Sequence, residues 1–368
     1  MSFIRRAKAV FAERTSGLGP GVLPLAALVI LACCSEGGIL GLRSARRISV
    51  GVHMDLTWRP DDVYRKVMIQ RALEVHSAVS RNSLLWHLVE PVKGQQDWSL
   101  TDSTVDDLVA HGIAPLMVVV GSPSWANGAS EVVDAYYYLE VPTDSVAFAG
   151  WVTDYRDFIR AAARRYRGRV RLWELGNEEN GAEFWRPRPN VAQYATWYSE
   201  MRDAIKAENP DATVSAGGLT LLAVPSESIG TNINGVTFVQ QLYAADVFPD
   251  AIAVHPYTSA GAGPDVHIDG ARNFDDIEAV REVMVRNGQG ALPMWVTEWG
   301  WSTSDVTPTV QAGYLQRSLE LLSTRYAPYV TVATYFALGD YPGLPYGLYD
   351  ASGNRRPAAD VFAAFMRP

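Results

Sequence analysis

Leu172-Trp173-Glu174-Leu175-Gly176-Asn177-Glu178-Glu179-Asn180 reads as a short apolar β-strand that runs directly into a polar cluster. A second stretch ends in the same way: Met294-Trp295-Val296-Thr297-Glu298-Trp299-Gly300-Trp301. In each, a glutamate closes an apolar strand. In parallel α/β folds, functional side chains collect at the carboxyl ends of the strands. What lies between and around the two stretches therefore decides the fold.

Working outward, short runs rich in apolar or β-branched residues recur at 48–53, 78–84, 114–120, 170–175, 213–216, 251–254, 293–297 and 330–335. Each is bounded by Gly, Pro, Asn or other polar residues, as strands are. Helical patterns lie between them, clearest at 61–76, 145–166, 191–208, 275–287 and 308–325. The third must stop at Asn209-Pro210, and the last opens with Pro308 in its first turn. Alternating strands and helices pair in parallel, with the crossovers on the sheet faces. Eight such units of about 40 residues close into a (β/α)8 TIM barrel, an α/β fold. An open doubly wound sheet is the runner-up, but the glycine-rich nucleotide loop it commonly carries is missing after the first strand. The sequence thus divides into an N-terminal segment, 1–47, and one barrel domain, 48–368.

The N-terminal segment has a different character. Arg5, Arg6, Lys8 and Arg14 precede an apolar run from Leu23 to Cys34, and Arg43, Arg46 and Arg47 close it. A basic start before a short apolar core is the composition of an export signal. The run is shorter than the roughly 20 apolar residues that span a bilayer. Three readings fit: a cleaved signal, an uncleaved anchor with membrane association through residues 20–42, or a lipoprotein modified at Cys33. All three place the protein outside the cytoplasm, secreted, periplasmic or at the cell surface. The only two cysteines, Cys33 and Cys34, lie here, so the barrel has neither a disulfide nor a thiolate site.

A net charge of −8 argues against nucleic acid as a partner. The six histidines are scattered, so no multi-histidine metal site is expected, and no cofactor motif is present. There is no Gly-x-Ser-x-Gly elbow, no zinc helix and no phosphate loop. What remains is the pair of strand-end glutamates. Glu178 and Glu298 are 120 positions apart, three units of the repeat, which puts them on strands four and seven at one mouth. Hydrolysis of a glycosidic bond needs two such carboxyl groups, one protonated and one ionised. Glu179 follows Glu178, but a one-residue step turns the side chain away, so Glu178 is the one expected in the cleft. Arg81 on an apolar strand is costly to bury alone, which predicts an inward ion pair, with Glu298 as the candidate. His53 and Asp55 after strand one are candidate cleft residues. Tyr136-Tyr137-Tyr138 stands in a long loop, 131–142, and a second long loop runs from 259 to 272.

At this point the chain resembles clan A of the glycoside hydrolases, from about Ile48 to Phe365. The resemblance implies Glu178 as acid/base, Asn177 as partner of the sugar 2-hydroxyl and Glu298 as nucleophile. His255-Pro256-Tyr257 resembles the clan's His-x-Tyr after strand six, implying that Tyr257 holds the nucleophile, and Arg81 matches an arginine of the same network. Within the clan the chain is most similar to family 39, through Trp86…Glu90-Pro91…Gly94…Asp97-Trp98, Ser122-Pro123-Ser124-Trp125 and Tyr346-Gly347-Leu348-Tyr349-Asp350. Family 5 cellulase-like enzymes are the competing placement. The clan often has Trp at the end of strand eight; here Tyr335-Phe336 stands instead. Trp125, Trp299 and Trp301 are candidate platforms for stacking sugars, with Trp125 foremost and Tyr335 in the strand-eight position. The resemblance implies a retaining hydrolase of β-linked polysaccharide or oligosaccharide. A catalytically inactive, glycan-binding barrel is the alternative. The sugar and the oligomeric state are left open by the residues.

Overall fold

Side chains of a strand alternate between two faces, and in this chain both faces are buried, in different company. The computed structural model describes residues 48–59, 61–130, 136–221, 232–259 and 261–367. The N-terminal segment, with its signal, anchor and Cys33 readings, lies outside them. Among the described residues no helix is long and apolar enough to cross a membrane.

All eight expected strands are present: β1 (Ser49–His53), β2 (Val79–Leu85), β3 (Ala114–Val120), β4 (Leu172–Asn177), β5 (Thr213–Thr220), β6 (Ala251–His255), β7 (Met294–Val296) and β8 (Val330–Tyr335). Every neighbouring pair is parallel, and β8 pairs with β1 to close the barrel. One long helix follows each strand: α1 (Asp62–Glu74), α2 (Ser99–Ala110), α3 (Ser145–Arg165), α4 (Val191–Glu208), α5 (Gly235–Ala244), α6 (Ile277–Arg286), α7 (Pro308–Ser323) and α8 (Pro357–Met366). Their starts are set locally. Asp61 caps α1 by accepting from the backbone of Val63 and Tyr64, and Asp144 caps α3 through Val146 and Ala147.

The alternation is visible in the two cores. Leu116 and Val118 of β3 pack with Val79, Ala251, Ala253, Trp295 and Val332 inside the barrel. Met117 and Val119 of the same strand join the larger core between sheet and helices. Charged residues that share the inward face are therefore placed by the pleat. Arg81 and Ser83 follow Val79 on β2, and Glu174 follows Leu172 on β4.

Three strands depart from this alternation toward their ends, and all three departures lie at the mouth. Gly176 of β4 has φ +96°, which only glycine adopts easily, and Glu178 follows at φ +56°. Beside it, β5 shifts register between Ala216 and Leu219, through Gly217-Gly218. Strand β7 is short and ends at Val296. Alternation continued from Trp295 would aim Glu298 away from the axis, but the non-strand backbone after Val296 turns it inward.

Candidate active site

Four side chains on or just past three other strands converge on one guanidinium. Arg81 is buried on β2, and its Nη2 donates to Glu174 Oε1 at 2.7 Å and to Asn177 Oδ1 at 2.7 Å. Its Nη1 donates to Glu298 Oε1 at 2.5 Å and lies 3.0 Å from His53 Nδ1. A planar fork with five donors suits this task, since each arm serves two partners. Burial alone would weaken the Arg81 charge; Glu174 and Glu298 outweigh it and drive the pKa above its ordinary value. Glu174 is fully buried, so the pair also answers the desolvation of that carboxylate.

Glu298 is held from both sides. Its second oxygen accepts from the Tyr257 hydroxyl at 2.9 Å, and His255 Nδ1 stands 3.8 Å away. Burial pushes the Glu298 carboxyl up, but His255, Arg81, His53 and the Tyr257 hydroxyl together pull it down to about 2. Such a group is ionised throughout the physiological range. Burial and the adjacent Glu298 charge raise Tyr257 well above the usual phenol range, so its proton stays on the hydroxyl and the bond is donated.

Glu178 occupies the opposite side of the same space. Its Oε1 is 2.8 Å from His255 Nδ1, and its backbone N–H donates to Gly218 O at 3.0 Å. Gly218 must be a glycine here: a Cβ would strike the His255 ring and come within 2.8 Å of Glu174. One oxygen of Glu178, one of Glu298 and a ring nitrogen of His255 lie within 4.8 Å of one another. His267, Asp275 and Asp276 form a second such group on the surface. In both sets the histidine Nδ1 already has a carboxylate partner, at 2.8 Å and 2.9 Å, so the hydrogen bonds account for the clustering without an ion.

The two glutamates open onto a cavity of about 560 Å³. Trp58, Tyr138, Trp301, Phe336, Tyr341 and Tyr346 line it, with Asp55 and Arg272 among its charged residues. Phe336 stacks on Tyr341 at 5.5 Å and 10°, and meets Tyr346 edge-on. Trp58 is 42% exposed, with its indole N–H toward Ser83 Oγ at 3.3 Å. The loop residue Tyr138 stacks on His87 at 4.3 Å; the part of that loop from 131 to 135 lies outside the described residues.

The structure thus brings together Glu178, Glu298, Asn177, His255, Tyr257 and Arg81, with His53 and Asp55. It does not bring in Trp125, Trp299 or Tyr335, and the platform expectation for these three is corrected. Trp125 donates to Glu90 O at 2.9 Å and packs edge-on against Trp86 at 5.3 Å, outside the cavity wall. Trp299 is fully buried in the outer core, its indole N–H donating to Ser318 Oγ on α7 at 3.0 Å. Tyr335 shares the outward face of β8 with Ala333 and donates to Tyr346 O at 3.2 Å. Its neighbour Phe336, past the strand end, takes the cavity wall instead. The Trp86…Glu90…Gly94 motif proves to be a brace: Glu90 accepts from Trp86 Nε1 at 3.0 Å and from Gly94 N at 2.7 Å.

Sequence reasoning missed Glu174 and Trp58. Glu174 did leave a signal, being a charge in the middle of an apolar strand, on the pleat face that Leu172 turns to the barrel interior. Trp58 left none, because its role follows from the short turn Leu56–Trp58 that places it over the mouth.

No family model matches the chain, and no curated protein matches it. Solved structures do share its fold. A family 39 glycoside hydrolase from Bacteroides cellulosilyticus WH2 superposes with TM-score 0.65 at 21% identity, over 88% of this chain and 64% of that one. A monomeric β-xylosidase from Caulobacter crescentus CB15 gives 0.64 at 20%, over 86% and 67%. A family 5 subfamily 18 enzyme from Streptomyces cattleya, in complex with Manβ1-4GlcNAc, gives 0.62 at 13%, over 87% and 80%. The chain therefore spans somewhat less than two thirds of the length of the first.

Proposed function

We propose that this protein is a retaining glycoside hydrolase, with Glu298 as nucleophile and Glu178 as general acid and base. One observation carries the reading: two carboxylates face each other across a cavity within 4.8 Å, and only Glu298 is tied to a buried arginine and a phenol. That separation is closer to the roughly 5–5.5 Å of double displacement than to the roughly 6.5–9.5 Å that leaves room for a water between the groups. In the first step a Glu298 oxygen bonds to the anomeric carbon. The glycosidic C–O bond breaks, and the leaving oxygen takes the proton from Glu178. In the second step Glu178 takes a proton from water, the water oxygen bonds to the anomeric carbon, and the ester to Glu298 breaks. Asn177 is fixed by Arg81 through its amide oxygen, and its amide nitrogen, with no partner among the described residues, can donate toward a sugar hydroxyl.

The substrate we propose is a β-linked polysaccharide or oligosaccharide. The fold shared with family 39 enzymes, among them a β-xylosidase, supports that class, as does the aromatic lining of the cavity. We also propose that the protein acts outside the cytoplasm, on the strength of the basic and apolar composition of residues 1–47.

The test is intact-mass spectrometry of the protein after incubation with 2-fluoro-β-glycosides carrying activated leaving groups. The expected result is a gain of one fluorosugar, mapped to Glu298. A label on another residue would overturn the nucleophile assignment. Folded protein that binds glycans but turns over neither these nor longer β-glucans, xylans or mannans would overturn the enzyme in favour of the binding barrel.

A further inference from the structure

Directly after the proposed acid stands a second glutamate with no place in the mechanism. Glu179 is buried, and it lines a separate cavity of about 30 Å³ beneath Trp151, Tyr155, Trp185 and Trp197. Its Oε1 accepts the backbone N–H of Asn177, while Oε2 has no hydrogen-bond partner among the described residues. The charged and titratable groups that face it are Glu174, Glu178 and the phenols of Tyr155 and Tyr194, none of them a cation.

A carboxylate so placed would sit in a low dielectric, without a counter-charge and with one oxygen unpaired, so the protonated form is favoured. Burial pushes its pKa well above the usual carboxylate range, which agrees. The backbone has been shaped to admit this side chain. A Cβ at Gly176 would collide with the Glu179 carboxyl, and one at Gly217 would come within 2.5 Å of Oε2. The clasped segment is the irregular one: Gly176 at φ +96°, Asn177, then Glu178 at φ +56°. A non-glycine residue in the left-handed region persists when its surroundings over-determine it.

We propose that Glu179 is a positioning residue, a neutral carboxylic acid whose oxygen clamps the Asn177 N–H. It thereby holds the left-handed turn that aims Glu178 into the cavity and Asn177 at Arg81. Being uncharged, it does this without placing a second negative charge beside the acid. The inference rests on the glycosidase reading for its kinetic consequence, but not for the protonation state.

Two variants and one spectrum test it. In E179A the clamp is gone, and kcat on unactivated β-linked oligosaccharides is expected to fall about 10- to 100-fold. Activated aryl glycosides should lose less than about three-fold, since assistance from a general acid, typically 10²–10⁴-fold, depends on its placement. E179Q keeps a neutral acceptor, and it should restore the wild-type ratio between the two substrate types and the wild-type alkaline limb of kcat/KM. The infrared difference between wild type and E179Q at pH 7 should contain the carbonyl stretch of a protonated carboxylic acid. An unchanged substrate ratio in folded E179A overturns the proposal, as does an alkaline limb displaced by E179Q. If E179A does not fold, the E179Q limb and the infrared band decide. A missing band in an active wild-type enzyme overturns the clamp alone. A present band in a wild type without turnover overturns the glycosidase reading instead.

Discussion

Arg81 Nη1 stands 2.5 Å from Glu298 Oε1, and that bond ties the proposed nucleophile to the interior of the barrel. The same guanidinium binds Glu174 on β4, so one cation serves two carboxylates, one of them fully buried. Arg81 thus contributes to the charge and orientation of the proposed nucleophile, together with His255, His53 and Tyr257, and also to the stability of the barrel.

Arg81→Met should therefore damage two properties together. It leaves Glu174 buried and unpaired, which costs roughly 3–5 kcal/mol of stability. It also frees Glu298 and Asn177, so kcat/KM should drop by about 10² or more. Urea unfolding and steady-state kinetics on the same preparation check both. Arg81→Lys supplies a point charge rather than a fork, and should recover only part of either loss. Equal recovery of both to wild-type values would show that charge alone is needed.

The two glutamates should respond differently to truncation. Glu178→Ala removes the proposed proton donor, so substrates with poor leaving groups should lose about 10²–10⁴-fold in kcat/KM while activated aryl glycosides lose far less in the first step. Glu298→Ala should abolish turnover on both, with azide restoring some and giving a product of inverted configuration. A side-by-side leaving-group series reads the outcome, and equal losses on both substrate types in Glu178→Ala would contradict its role as acid.

Acid stability should carry the signature of Glu298. Its folded pKa, about 2, lies below the unfolded carboxylate value of 4.5, because the opposing effect of burial is outweighed by His255, Arg81, His53 and Tyr257, which favour the charged form. A group depressed in this way stabilises the fold above its unfolded pKa. That contribution is lost as pH falls from about 4.5 toward 2. Urea midpoints measured across this window should fall more steeply for wild type than for Glu298→Gln. Parallel curves would show that the carboxyl is not depressed.

The aromatic assignments separate cleanly by mutation. Trp58 is exposed on the cavity wall, so Trp58→Ala should raise KM for oligosaccharides by about 2- to 13-fold, corresponding to the roughly 0.5–1.5 kcal/mol of an aromatic contact, and leave thermal stability nearly unchanged. Trp125→Ala should do the reverse, lowering Tm through the lost Glu90 and Trp86 contacts with little effect on KM. Thermal melts and KM values for the two variants decide which indole meets substrate.

The sequence by itself determined the eight strands, their order and the two glutamates at the mouth. Those signals are local: apolar runs punctuated by Gly, Pro and Asn, a proline opening the helix at Pro308, and a carboxylate closing a strand. Arg81 was also legible as an inward charge, because burying it unpaired is too costly to tolerate. Tertiary structure decided the rest, for two physical reasons. First, the pleat assigns faces only while a strand is regular. The left-handed turn at Gly176–Glu178 and the early end of β7 at Val296 reset the alternation where the site is built. Second, an aromatic ring or a buried acid takes its role from partners far along the chain. Ser318 claims Trp299, Glu90 claims Trp125, and Tyr335 turns outward while Phe336 faces the cavity. Glu174 finds Arg81 from 93 residues away, and no pattern within either strand names the other.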